Sequence, residues 1–269
     1  MLYTLSRVKY EKPERRETYS QKIVTKLLDT GLMAAKTVIA FDLYGTLLST
    51  ESIAHELAKL YGEDKAKSIA ALWRRYQLEY TWRINSMGEY KSFSEITRNA
   101  LGHAVAEHRL TISAKDTDTA MRSYDALQVF PEIPSALKLL EEHSDTVEAY
   151  IFSNGTGEMV LNSVKTSPDL GPHAMRFKAL ISVHKLGFFK PDKRAYSHLV
   201  EEVGKQGEEG DVWLVSANPF DIVGARASGL KAAFIDRAGK GWIDRLDEKR
   251  VPSFIAPGVD EAVKSILKY

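Results

Sequence analysis

Thr37-Val38-Ile39-Ala40-Phe41, followed at once by Asp42-Leu43-Tyr44-Gly45-Thr46, is the stretch on which the fold turns. A short uncharged run rich in β-branched residues reads as a buried strand rather than a helix. Four further short, largely apolar runs follow: VEAYIF at 147–152, ALISV at 179–183, VWLV at 212–215 and AAFI at 232–235. Helical patterns separate the later ones, at about 157–165, 192–203 and 219–228, and Gly229 stops the last. Strands alternating with helices predict a parallel sheet covered on both faces, an α/β core of Rossmann-like type.

Working outward, the gap between the first two strands is too long for a loop. Its roughly 80 residues must form structure of their own. Ile69, Leu72, Trp73, Tyr76 and Tyr80 recur at helical spacing, as do Ile96 and Ala100, and Ser113 with Asp116 forms a capping box ahead of another helix. The expected organisation is therefore a core from 37–50 and 131–269, with a helical subdomain inserted at 51–130. Residues 237–256 read as loop and 259–268 as a closing helix. Residues 1–36 mix basic and acidic side chains without an apolar h-region, so they read as a peripheral extension with one short helix near 18–29. By position alone, Met33 is a candidate start.

Composition narrows the function. The 269 residues are 44% apolar and 27% charged, with a formal net charge of +1. That near-balance gives no electrostatic case for nucleic acid or an anionic membrane. No run approaches the ~20 apolar residues of a bilayer span. There is no cysteine, which excludes disulfides, thiolate metal sites and cysteine nucleophiles. The seven His form no zinc-type cluster. Gly155-Thr156-Gly157 lacks the third glycine of a dinucleotide fingerprint, because position 160 is Val.

In an open α/β sheet the crevice lies beyond the carboxyl ends of the strands. Polar residues stand there in this chain: Asp42 after the first strand, Ser153-Asn154 after the second, Lys190-Pro191-Asp192 past the third, and Ser216-Ala217-Asn218-Pro219-Phe220-Asp221 after the fourth. Each taken alone is equally a turn or a helix cap. Four converging on one crevice are not. An aspartate is ionised at neutral pH and attacks carbon or phosphorus without a general base. Lys190 would offset its desolvation, and Asp221 would activate water against an ester intermediate.

The segments Phe-Asp-Leu-Tyr-Gly-Thr-Leu (41–47), Phe-Ser-Asn-Gly (152–155), Phe-Lys-Pro-Asp (189–192) and Val-Ser-Ala-Asn-Pro-Phe-Asp (215–221) resemble the haloacid dehalogenase superfamily. More narrowly they resemble its L-2-haloacid dehalogenases of type II, and Ala71-Leu-Trp-Arg-Arg-Tyr-Gln-Leu-Glu-Tyr-Thr-Trp82 is similar to the cap of that family. The resemblance implies that Asp42 attacks C2 of an L-2-haloalkanoic acid while Arg74 receives the halide. It implies that Ser153, Asn154 and the backbone N–H groups near Leu43 and Tyr44 hold the substrate carboxylate. Lys190, steadied by Tyr196, positions Asp42, and Thr46 and Ser216 bond to the same cluster. Water held by Asn218 and Asp221 hydrolyses the ester to a D-2-hydroxy acid. Tyr44, Leu78, Phe93 and Phe220 wall the pocket.

The phosphatases of the superfamily carry an acid two residues after the nucleophile and another four before the last Asp. Tyr44 and Ala217 occupy those positions. The implied enzyme is therefore metal- and cofactor-independent. A cytoplasmic location is expected, and the resemblance implies a homodimer, with Trp73, Tyr76, Tyr80 and Trp82 available to pack against a second copy. The alternatives are a Mg²⁺-dependent phosphatase and a silent paralogue acting as a binding protein. Three departures bear on substrate: Arg75 adds a charge beside Arg74, Phe220 replaces a common Trp, and 157–178 is longer than usual.

Overall fold

β1 (Thr37–Phe41) sits at the centre of a six-stranded sheet because its residues are apolar on both faces. A computed structural model of the chain describes residues 36–269, so the expectations for 1–35, including the helix near 18–29, lie outside the described residues. The other strands are β2 (Val147–Ser153), β3 (Phe177–Ser182), β4 (Val212–Ser216), β5 (Lys231–Ile235) and β6 (Phe254–Ala256). Their order is β3-β2-β1-β4-β5-β6 and every pairing is parallel. Phe41 is in register with Ile151 on one side and Val215 on the other. The chain order therefore reverses at β1, which puts a crevice beyond its carboxyl end, where Asp42 stands.

Of the five α-helices between β1 and β2, the first four are α1 (Ala54–Tyr61), α2 (Glu63–Ser86), α3 (Phe93–Glu107) and α4 (Ala114–Tyr124). Along α2 the spacing read from sequence buries Ile69, Trp73 and Tyr76. Trp73 and Tyr76 are thus spent inside the fold, and of the aromatics expected to meet a second copy only Trp82 is well exposed. Ser113 caps α4 by accepting from the Asp116 N–H and donating to its carboxylate. The two chain segments joining these helices to the sheet bond to each other: Ser49 N–H donates to Gln128 O (2.7 Å) and Phe130 N–H to Leu47 O (3.2 Å).

The remaining helices are α5 (Ile133–Glu142), α6 (Gly157–Thr166), α7 (Lys193–Glu202), α8 (Pro219–Ala227) and α9 (Val259–Ile266). Two elements depart from the sequence reading. β6 lies inside the stretch read as loop, because three residues are too few to show a pattern. The unforeseen α5 buries Ile133, Ala136, Leu137 and Leu140, but starts on Glu132, which makes no side-chain cap. Among the described residues no helix is long and apolar enough to cross a membrane.

Candidate active site

Asp42 follows β1 directly and its N–H donates to Val215 O of β4, so the neighbouring strand fixes its backbone. Its side chain is nearly buried and accepts three hydrogen bonds. Oδ1 accepts from Lys190 Nζ at 3.0 Å; Oδ2 accepts from Thr46 Oγ1 at 2.8 Å and from Asn218 Nδ2 at 2.7 Å. Residues from three distant segments meet on one carboxylate.

Lys190 is the hub. Its ammonium has three protons and spends all of them, on Asp42 Oδ1, on Asp221 Oδ2 at 2.8 Å and on the Phe152 carbonyl at 2.9 Å. It also lies over the Phe152 ring, 4.3 Å from the centroid. Burial alone would pull the ammonium down, but the charges of Asp221 and Asp42 outweigh it and hold its pKa above the ordinary lysine value. Burial pushes Asp221 up from the usual carboxylate value, against the opposing pull of Lys190. A buried triad of this kind contributes little net stability, yet removing one member leaves uncompensated charge at a cost of about 3–5 kcal/mol.

Tyr196 is fully buried on α7 and donates to Asp221 Oδ1 at 2.8 Å. Burial raises its phenol well above the ordinary tyrosine value, with Asp221 adding to the effect, so it remains a donor. Tyr196 therefore acts on Asp221 and reaches Lys190 only through it. Ser216 joins the cluster through Asn218. Its hydroxyl accepts from Asn218 N–H at 3.1 Å and so orients Asn218 rather than bonding to Asp42. Thr46 donates to Asp42 and also accepts from Ala217 N–H at 3.0 Å.

The inserted helices supply the cation. Arg74 reaches from α2 to donate from Nη2 to Tyr44 O at 2.8 Å and to Asn218 Oδ1 at 3.2 Å. Asn218 thus has Arg74 on its oxygen and Asp42 on its nitrogen. Gln77, unforeseen in the sequence, fixes the guanidinium from behind: its Oε1 accepts from Arg74 Nη1 at 2.7 Å and from Tyr124 OH at 3.1 Å, and its Nε2 donates to Thr97 Oγ1. A glutamine three residues from Arg74 on the buried face of α2 was the available signal. Arg75 turns outward onto Tyr76 and Glu107, so its charge stays away from the site.

The N–H groups of Leu43 and Tyr44 find no acceptor among the described residues, whereas the Leu43 side chain is wholly buried. Ser153 Oγ accepts from Gly155 N–H, and Asn154 Oδ1 accepts from Lys190 N–H at 2.9 Å, which leaves the Asn154 Nδ2 protons over. Tyr44 bonds to Ser163 through its hydroxyl and stacks on Phe93 with centroids 5.9 Å apart. Phe220 meets Trp82 edge-on at 5.4 Å. Leu78 lies one turn beyond Arg74 on α2, half-buried and outside the continuous apolar core. A second unforeseen residue, Asn85, bonds to both the N–H and the C=O of Phe189, at 3.0 and 2.7 Å, and so grips the peptide that precedes Lys190.

The donor set does not fit a divalent cation. Asp42 and Asp221 already share an ammonium, Tyr44 and Ala217 add no carboxylate, and no cluster of three metal-binding side chains occurs among the described residues.

A family profile for haloacid dehalogenase-like hydrolases matches residues 36–229. The haloacetate dehalogenase H-2 of Moraxella sp. (strain B) is 36% identical over 231 residues, 85% of this chain and 96% of its own. The (S)-2-haloacid dehalogenase of Pseudomonas sp. (strain YL) is 32% identical over 201 residues, 75% of this chain and 83% of its own. Among solved structures, the L-2-haloacid dehalogenase of Xanthobacter autotrophicus with chloropropionic acid covalently bound has a TM-score of 0.76 at 25% identity, covering 86% of this chain and 98% of that one. With the motifs on one crevice and relatives matched over most of their length, the chain belongs to the haloacid dehalogenase-like hydrolase family.

Proposed function

We propose that this protein hydrolyses L-2-haloalkanoic acids to D-2-hydroxy acids through an ester on Asp42. The observation that carries this reading is the bonding of Asp42: one carboxylate held by Lys190, Thr46 and Asn218, with Arg74 bonded to the far side of the same Asn218. A nucleophile and a cation for the leaving anion are thereby set within one hydrogen-bonded unit.

A carboxylate oxygen of Asp42 attacks C2 as the carbon–halogen bond breaks; the halide leaves with the bonding pair toward Arg74, and the centre inverts. The substrate carboxylate is held by the Leu43 and Tyr44 N–H groups, Ser153 and the Asn154 amide. Water then adds to the carbonyl carbon of the Asp42 ester, losing a proton to Asp221. The alkoxide leaves with the original Asp42 oxygen and takes the proton from Asp221; the second proton of the water is released to solvent, and the carboxylate of Asp42 is restored with one oxygen from water. Tyr44, Leu78, Phe93 and Phe220 bound the space for the alkyl group.

In this reading 37–50 and 131–269 form the catalytic core, and 51–130 form a cap that delivers Arg74. The protein is homodimeric and cytoplasmic. The resemblance, the exposed Trp82 and the absence of cysteine support these two points, and light scattering after gel filtration tests the first.

The chemistry is tested by halide release from L- and D-2-chloropropionate and chloroacetate in EDTA, comparing wild type with Asp42→Asn. Release from the L isomer, lost in the variant, is the expected result, with an Asp42 ester recovered by mass spectrometry after rapid quenching. A folded protein that releases halide from none of them overturns the reading.

A further inference from the structure

The loop after β5 carries Arg237, a residue the mechanism does not use. Its guanidinium is mostly buried, and each of its bonds goes to a segment where the chain crosses between core and cap. Nη2 donates to the Thr46 carbonyl at 2.8 Å, on the outgoing crossing. Nε and Nη2 both donate to Glu132 Oε1, at 2.9 and 2.5 Å, on the returning one. The guanidinium carbon stands 3.5 Å from the centroid of the Phe130 ring, also on the returning crossing. Glu132 has room there because position 258 is glycine: a Cβ would come within 2.9 Å of its Cγ.

The two crossings already pair with each other at Leu48 and Val129. Arg237 pins that pair to the sheet. The pin also bears on chemistry, because the residue whose carbonyl it holds is the one whose hydroxyl donates to Asp42 Oδ2 at 2.8 Å. The Thr46 N–H is turned back to Leu43 O, so Arg237 and Leu43 together fix the peptide planes on both sides of the Thr46 side chain. A planar fork is suited to this work; a lysine would offer one point of attachment in place of three bonds spread over two segments.

We propose that Arg237 is a positioning residue that locks both cap crossings to the core and thereby sets the Thr46 hydroxyl on the nucleophile. The proposal takes from the reading above that Asp42 is the nucleophile and that 51–130 form the cap.

The test compares wild type, Arg237→Lys and Arg237→Met by two independent measurements. The first is the single-turnover rate of Asp42 ester formation from L-2-chloropropionate, read alongside KM. The second is hydrogen–deuterium exchange at 46–49 and 128–132, which needs no activity. The lysine variant keeps the aliphatic stem and the charge, so it carries the test if the methionine variant does not fold. Ester formation slowed ten- to a hundredfold, with KM within about twofold and faster exchange in both crossings together, is expected. Exchange unchanged from wild type in the folded lysine variant overturns the lock; ester formation at the wild-type rate with loosened crossings overturns the positioning of Thr46. Wild type that forms no Asp42 ester sinks the dehalogenase reading instead, and the exchange data still judge the lock.

Discussion

Replacing Gly224 by alanine reverses the usual effect of that substitution. Gly224 lies within α8, where alanine ordinarily stabilises a helix by about 1 kcal/mol relative to glycine. Here a Cβ would land on the Tyr196 hydroxyl and within 2.7 Å of Cε2 and Cζ of that ring. Tyr196 has nowhere to retreat: it is wholly buried, packs edge-on against Phe152 and donates to Asp221. Overpacking of a tight core costs about 1–3 kcal/mol. Displacing the hydroxyl forfeits a hydrogen bond to a charged group, about 1.5–3 kcal/mol more. Set against the helix gain, Gly224→Ala should destabilise the protein by about 1.5–5 kcal/mol, a fall in Tm on the order of 10 °C. Urea unfolding of wild type and variant measures this directly. In a Tyr196→Phe background the nearest clashing atom is gone, so the cost of the alanine should drop by about 1 kcal/mol or more. A Gly224→Ala protein as stable as wild type would refute the close approach and, with it, the tight seating of Tyr196 under Asp221.

Two further outcomes follow from the site. Arg74→Lys keeps the charge but cannot reach Tyr44 O, Asn218 and Gln77 at once; kcat/KM should fall about 10²-fold or more, with a larger loss for chloride than for iodide as leaving group, measured by halide release. Tyr196→Phe removes a hydrogen bond that opposes the upward push of burial on Asp221. The pKa of Asp221 then rises further, and because hydrolysis needs Asp221 ionised, the acid limb of kcat against pH should move to higher pH; a limb that stays put argues against Asp221 as the base.

Much of this was legible in the sequence because the sheet is buried on both faces. Strands such as Val38–Phe41 and Val212–Val215 then appear as unbroken apolar runs, and the polar residue ending each run marks the crevice. What stayed hidden was the partner each side chain selects. Ser216 and Tyr196 were foreseen as site residues, yet their hydroxyls go to Asn218 and Asp221, because side-chain reach is set by packing rather than by spacing. Gln77, Asn85 and Arg237 were missed for a related reason. Each acts on a residue 30 or more positions away or through a carboxamide or guanidinium pointed inward, and a lone polar residue on a helix or loop looks the same in sequence whether it faces water or a backbone carbonyl. β6 escaped through brevity alone.

The bond from Arg74 to Asn218 has a consequence for how such an enzyme diversifies. In the proposed mechanism the atoms that make the new bond belong to the sheet, whereas the charge that accepts the departing atom arrives on an inserted helix. Synthesis and expulsion are thus assigned to separately encoded pieces, joined at Arg74 through the Asn218 carboxamide and the Tyr44 carbonyl. Substitutions in 51–130 are free to retune which leaving group is tolerated while the nucleophile, its lysine and its water-activating partner stay as they are.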